Sequence, residues 1–327
     1  MRNFDYVRAD SVAHALSARA QERTVFLAGG TTLLDLMKLD VMRPARVVDI
    51  HKLELDAIEP LPDGRVRIGA MVSNTALARD ERIRRDYPVL SQALLSGAST
   101  QLRNKATTAG NLMQRVRCGY FRDGVSPCNK REPGSGCAAI GGLNRNVHAV
   151  LGGSEHCIAA HPSDMCVAMA AIGARVQVQG PRGAREIDFL DFHLLPGSTP
   201  WREHALDDGE MITHVVLDAP LAGSRSGYLK LRDRASYQFA LASCAAIVVL
   251  RGGTIETARL ALGGVGTKPW RALAAEQALA GKPATLDSFA QAAALAMQGA
   301  RDYGQNGFKI ALGQQAIVRN LQTVAAA

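Results

Sequence analysis

Val25-Phe26-Leu27-Ala28-Gly29-Gly30-Thr31-Thr32-Leu33-Leu34-Asp35-Leu36-Met37 is the stretch on which the reading of the fold turns. Val25-Phe26-Leu27 has the β-branched and aromatic character of a short buried strand, and Leu33 to Met37 has helical character. Between them, Ala28-Gly29-Gly30-Thr31-Thr32 is a strand-to-helix turn. Successive backbone N–H groups in such a turn can form a concave nest for phosphate oxygens, glycine permits close approach, and threonine hydroxyls add donors. An ordinary strand-to-helix turn contains the same residues, so this turn alone is not specific. It is not the G-x-G-x-x-G fingerprint, and the chain has no Walker lysine motif.

Working outward, Ser11 caps a short helix over Val12 to Leu16, and Val47-Val48-Asp49-Ile50 is a second strand. A new unit begins near Pro60, with a turn at Leu61-Pro62-Asp63-Gly64 and a strand at Val66 to Ala70. A helix around Tyr87-Pro88-Val89-Leu90 leads to Gln101-Leu102-Arg103-Asn104 and to Thr107-Thr108-Ala109-Gly110-Asn111-Leu112. That second glycine turn repeats the chemistry of the first and adds an asparagine amide. Two such turns suit a pyrophosphate gripped from both sides, as in a dinucleotide such as FAD.

From Gly119 to Gly142 periodicity is lost and the chain becomes rich in Gly, Pro, Ser and charge, the composition of an insertion loop held by something other than a core. Order returns with an expected strand at His148-Ala149-Val150, a helix from Pro162 to about Ala171, and strands at Val176-Gln177-Val178 and Ile212 to Leu217. Further strands are expected at Tyr228 to Leu231, Ala245 to Leu250 and Ala258 to Leu262. Helices over Arg271–Ala280, Ser288–Met297 and Phe308–Gln322 would cover one face of that sheet.

With 327 residues the chain can bury two or three subdomains, and 47% apolar residues is the content of a soluble globular protein. No run approaches the roughly 18 apolar residues of a membrane span, and no secretory signal follows Met1-Arg2-Asn3. The formal charge of +8 fits either a basic surface that keeps the protein soluble or attraction to an acidic partner such as a cofactor phosphate or a subunit. Nucleic acid is disfavoured, because the basic residues are scattered, aromatics are only 5% and no recognition module is present.

Phe26-Leu27-Ala28-Gly29-Gly30-Thr31-Thr32-Leu33, Thr107 to Leu112 and Pro162-Ser163-Asp164 closely resemble the flavoprotein subunits of the xanthine dehydrogenase and carbon monoxide dehydrogenase family. Tyr228-Leu229-Lys230-Leu231-Arg232-Asp233-Arg234 and Leu262-Gly263-Gly264-Val265 look like its C-terminal domain. The resemblance implies an α+β fold: two subdomains, over 1–57 and 58–221, forming an FAD-binding fold of the vanillyl-alcohol-oxidase type, then an α+β domain over 222–327. It implies that Phe26, Leu27, Ala28, Gly29, Gly30, Thr31, Thr32 and Leu33, with Thr107, Thr108, Ala109, Gly110 and Asn111, bind the FAD phosphates and adenosine side. Asp164 matches a carboxylate that hydrogen-bonds flavin hydroxyls, and Lys230 a lysine near the flavin ring. The plainer alternatives are a helix-start carboxylate for Asp164 and a solvated strand lysine for Lys230.

Four of the six cysteines, Cys118, Cys128, Cys137 and Cys157, fall within forty residues. Their gaps of nine, eight and nineteen residues do not match the close cysteine pairs of zinc ribbons, and disulfides need an oxidising compartment. Four thiolates suffice for a [4Fe–4S] cluster, whose charge Arg117, Arg122, Lys130 and Arg131 would offset. Cys166 and Cys244 lie in apolar surroundings and read as small buried hydrophobes. The insertion over about 117–157 is similar to that of a family subset carrying an extra [4Fe–4S] cluster, most like the periplasmic aldehyde oxidoreductases.

The resemblance therefore implies an FAD and [4Fe–4S] electron-transfer subunit of a heterotrimeric molybdenum hydroxylase oxidising aldehydes to carboxylic acids. Its partners would be a large subunit with the molybdenum cofactor and a small subunit with [2Fe–2S] clusters. No catalytic acid, base or nucleophile is expected from this chain. Three alternatives stay open: a xanthine or aromatic-CoA enzyme on the same scaffold, a stand-alone flavin oxidase, and a zinc-loop interaction protein. Co-export with a signal-bearing partner would place the complex in the periplasm, whereas the absent signal taken alone implies the cytoplasm.

Overall fold

The computed structural model describes residues 1–326 as three sheets, each with its own helices. The first unit runs β1 (Asp5–Arg8), α1 (Val12–Arg19), β2 (Thr24–Leu27), α2 (Leu33–Lys38) and β3 (Arg46–Asp49). Its strands are parallel in the order β1-β3-β2, so each connection is a helical crossover. The Ser11 hydroxyl accepts from the His14 N–H at the start of α1, as its position predicts.

The second unit opens with β4 (Ile58–Pro60) and β5 (Val66–Gly69). A run of short helices follows: α3 (Asn74–Arg79), α4 (Glu81–Asp86), α5 (Pro88–Ser96), α6 (Thr100–Lys105), α7 (Thr108–Leu112) and α8 (Gly119–Arg122). After the insertion come α9 (Asp164–Ile172), β6 (Ala174–Gly180), β7 (Gly183–Asp188), α10 (Phe189–Phe192) and β8 (Met211–Leu217). The five strands form one antiparallel sheet, β4-β5-β8-β6-β7. Every residue of α9 is buried, because the helix lies in the middle of the main core and packs against α5, α7 and the third unit.

The third unit is a four-stranded antiparallel sheet, β12-β11-β10-β9, made of β9 (Ser224–Leu231), β10 (Ala242–Arg251), β11 (Thr254–Gly263) and β12 (Trp270–Arg271). Helices α11 (Leu273–Leu279), α12 (Leu286–Ala296) and α13 (Phe308–Ala326) cover one face and close a second core with Leu260, Leu262, Ile317 and Leu321. The other face meets α9 and α5, which joins the third unit to the second.

Two expectations are corrected. His148–Val150 is not a strand: His148 makes a single bridge to Ala159, and the backbone of Val150 and Leu151 turns away to the Val265 carbonyl. Thr107 to Leu112 is not a turn but the single-turn helix α7, whose Thr107 hydroxyl caps the Gly110 N–H. Strand β7 was not anticipated because Gly183-Ala184-Arg185-Glu186 is polar and exposed on a sheet edge, leaving no alternation to read. Among the described residues no helix is long and apolar enough to cross a membrane.

Candidate cofactor site

A cleft of about 640 Å³ opens between the three units, within the usual range for a cofactor pocket. The first glycine turn forms one wall. A Cβ on Gly29 would overlap the Lys105 carbonyl oxygen, so this turn lies directly against the end of α6, just before Thr107. Gly30 sits at φ +72°, where an L side chain is strained. One glycine is thus required by close approach and the other by conformation. The two glycine-bearing segments, about eighty residues apart in the chain, meet at that contact.

Six of the residues expected to bind the cofactor line the cleft: Thr31, Thr32, Gly110, Asn111, Asp164 and Lys230. Thr32 stands at the start of α2 without capping it through its side chain, which leaves the hydroxyl free for a ligand. Phe26 and Ala28 instead pack on the core, and Leu27 ends β2. The Thr107 hydroxyl caps α7, and the buried Thr108 hydroxyl donates to the Val72 carbonyl at 3.1 Å. Their part is to hold the wall.

Asp164 and Lys230 come together at the back of the cleft. Lys230 Nζ lies 2.7 Å from Asp164 Oδ2 and also donates to the Ser96 carbonyl, with side-chain exposures of only 4% and 8%. The solvated-lysine alternative is thereby excluded. Tyr228 Oη donates to Asp164 Oδ1 at 2.7 Å, and Ser243 Oγ stands 2.9 Å away as its second partner. Burial, with the Asp164 charge next, holds the Tyr228 phenol well above its ordinary range, so it remains a donor. Ser163, the N-cap of α9, accepts from the Cys166 N–H and donates to Asn111 Oδ1. These bonds fix Asp164 at a helix N-terminus with lone pairs to spare for a ligand hydroxyl.

The wall also contains groups the sequence did not single out for this site: Asn74, Arg103, Gln114, Phe239 and the guanidinium of Arg117. Arg117 stacks on Phe239 at 4.9 Å, and burial pushes it down to about 10, still charged near neutrality. Its Nε, like the Asn74 Oδ1, is buried with no partner in the protein. Buried polar atoms rarely stay unpaired, so the Arg117 donor fits an anionic group and the Asn74 acceptor a hydroxyl or N–H of a polar ligand. Arg117 and Arg122 were expected to balance the cysteine cluster. Both line this cleft instead, and Arg122 pairs with Asp35 at 2.9 Å.

The four clustered cysteines converge as well. Cys118, Cys128, Cys137 and Cys157 line one small cavity, and Cys128 pairs with Cys137 across a β-bridge. The loop is held by side chains. Asn129 accepts from the Gly134 and Gly136 N–H groups and donates to the His156 carbonyl, tying this hairpin to the Cys157 segment. Arg131 donates to the carbonyls of Tyr120 and Phe121. Lys130 donates to Pro200 O and pairs with the part-buried Glu203, which Arg115 also contacts. Burial alone would raise Glu203, but these two cations outweigh it and hold the carboxyl below its ordinary value.

Burial pushes the Cys118 thiol up to about 11 and also raises Cys157. Three buried thiols and the part-buried Cys137 on one cavity, with Lys130 in its wall, fit a cation-bearing cluster that would deprotonate them. Cys166 and Cys244 are fully buried within α9 and β10, in keeping with small core hydrophobes. Cys166 has His161 and His193 beside it, the three donor atoms lying within 4.8 Å. The two rings pack edge to face, and His193 Nε2 bonds the Leu112 carbonyl.

Residues 2–220 match the FAD-binding domain of molybdopterin dehydrogenases, and residues 227–323 match the CO dehydrogenase flavoprotein C-terminal domain. The chain is 51% identical to the aldehyde oxidoreductase FAD-binding subunit PaoB of Escherichia coli, over 97% of this chain and 96% of that one. It is 29% identical to the glyceraldehyde dehydrogenase medium chain of Sulfolobus acidocaldarius, over 85% and 82%. Among solved structures, a carbon monoxide dehydrogenase chain from Hydrogenophaga pseudoflava superimposes with a TM-score of 0.77 at 26% identity, over 99% and 98% of the two chains. The chain belongs to the FAD-binding flavoprotein family of the molybdopterin dehydrogenases.

Proposed function

We propose that this chain is the FAD- and [4Fe–4S]-bearing electron-transfer subunit of a heterotrimeric molybdenum hydroxylase that oxidises aldehydes to carboxylic acids. The observation that carries the reading is the pairing of two features. One is a dinucleotide-sized cleft with both glycine segments, Asp164 and Lys230 in its wall; the other is a cavity lined by four cysteines. The aldehyde class rests on the relative that is 51% identical, against 27% for a putative xanthine dehydrogenase FAD-binding subunit of Escherichia coli.

Bound FAD supplies the chemistry that couples single-electron carriers to two-electron acceptors. Within the chain, Thr31, Thr32 and Asn111 offer hydroxyl and amide partners to the cofactor's polar groups, and the Arg117 guanidinium and Lys230 supply positive charge. Asp164 accepts from a cofactor hydroxyl while Tyr228 and Lys230 keep it in place. Cys118, Cys128, Cys137 and Cys157 would hold the cluster. A large subunit with the molybdenum cofactor and a small subunit with [2Fe–2S] clusters complete the enzyme, and a signal-bearing partner carries the complex to the periplasm.

Purifying the native complex and assaying it with aromatic and aliphatic aldehydes against xanthine and aromatic-CoA substrates tests the reading. Aldehyde oxidation in a flavin-, iron- and molybdenum-containing complex is expected. Turnover of xanthine with none of aldehydes would overturn the substrate class, and activity of this chain without partners would point to a stand-alone oxidase. Cell fractionation tests the address, with a cytoplasmic complex as the contrary result.

A further inference from the structure

The four cysteines are not in equivalent surroundings. His148 Nε2 lies 3.2 Å from Cys118 Sγ, the one side-chain hydrogen bond that reaches any of the four sulfurs among the described residues. His148 is buried and rigidly set. Its flanking backbone bonds to Ile158 and Ala160, just beyond Cys157, and its own carbonyl accepts from Lys309 Nζ at 3.0 Å. Lys309 is fully buried on α13 and has carbonyl partners only, His148 O and Gly264 O, with no carboxylate near it. Helix α13 thus braces the cysteine cavity from the third unit.

The imidazole has one N–H to place. Its Nδ1 is buried and has no partner. A proton on Nδ1 would be an orphaned buried donor, whereas a proton on Nε2 faces the sulfur. A metal-bound Cys118 is a thiolate and can only accept. The tautomer and the geometry therefore agree.

We propose that His148 is a positioning residue that donates an N–H···S bond to Cys118 and so raises the reduction potential of the iron–sulfur centre. The proposal rests on the cluster reading above. An added electron increases the negative charge on the sulfurs, and a fixed N–H dipole stabilises that state more than the oxidised one. Hydrogen bonds to sulfur are among the devices by which a protein sets cluster potentials.

The test is a dithionite titration of the complete heterotrimer, with the reduced cluster followed by electron paramagnetic resonance. At the wild-type midpoint, His148→Phe should lower the reduced-to-oxidised ratio about tenfold, equivalent to roughly 59 mV for one electron. His148→Gln, which keeps a donor at a similar reach, should recover most of that. An unchanged ratio in His148→Phe with full iron content overturns the proposal. Should the phenylalanine variant lose iron, wild-type protein labelled with [15N]histidine decides: a nitrogen coupling to the reduced cluster is expected, and its absence overturns the assignment. A wild-type complex holding no more iron than Cys137→Ser is a separate failure, of the cluster reading itself, and removes this proposal with it.

Discussion

The cleft and the cysteine cavity are neighbours that the chain builds by opposite means. The cleft walls are ends of regular elements: the β2–α2 turn, α6, α7, the first turn of α9 and strand β9. Backbone hydrogen bonds and apolar packing fix these before any ligand is considered. The cysteine segment has almost no regular structure beyond α8, and Asn129, Lys130 and Arg131 hold it by reaching to carbonyls and amides elsewhere. The lesson is that a cofactor fitted to a wide cleft can be served by backbone shape, whereas a compact multi-ligand centre needs a loop free to wrap it and side chains to pin that loop.

Five substitutions break or sharpen this contrast. The largest effect is expected at the Asp164–Lys230 pair. Asp164→Asn leaves a buried lysine unpaired and should cost about 3–5 kcal/mol together with the bound flavin, read by denaturant unfolding and by flavin content. Adding Lys230→Met should restore much of the stability without restoring the flavin. Gly29→Ala follows, since its methyl must displace the Lys105 carbonyl. A loss of about 3 kcal/mol is expected, with flavin lost and iron kept. Full flavin retention in that variant would show that the wall is softer than its packing indicates.

The next effect is a pH dependence of the loop. Glu203 has a folded pKa below its ordinary 4.5, so its contribution is complete above that value and fades as pH falls below it towards the folded pKa. Acid unfolding of the wild type should therefore take up a fraction of a proton more than that of Glu203→Gln. Equal acid limbs would mean that Lys130 and Arg115 do not hold the loop through this carboxylate. The smallest effect is expected at Val125, which is 87% exposed at the tip of the insertion. Val125→Ser should stay within about 0.5 kcal/mol and change neither flavin nor iron.

The same contrast governs what could be read from the sequence. Gly29-Gly30 and Thr31-Thr32 announce themselves because conformation and chemistry coincide there. The strands of the third unit are legible because β10 is a nearly continuous apolar run and β11 ends in the apolar stretch Leu260-Ala261-Leu262. The four cysteines are visible as a cluster, and their convergence needed only the loop to fold back. What escaped were long-range partners of ordinary residues. Nothing local in Tyr228 says that it donates to Asp164, sixty-four residues away, or in Lys309 that it reaches the carbonyl of His148. Arg117 adjoins Cys118 in the chain and was read as its counter-charge, yet its side chain turns into the cleft and stacks on Phe239. His148–Val150 has a strand's composition and lacks a second continuous segment to pair with.

The central claim is that one chain carries two separate centres, and cofactor quantification in the native complex tests it most directly. Flavin, iron and molybdenum are measured in the wild type and in Cys128→Ser purified in parallel. The account predicts about one FAD per chain in both, with about four fewer irons in the variant and molybdenum unchanged. Absence of flavin from the wild type, or iron identical in the two, would contradict it.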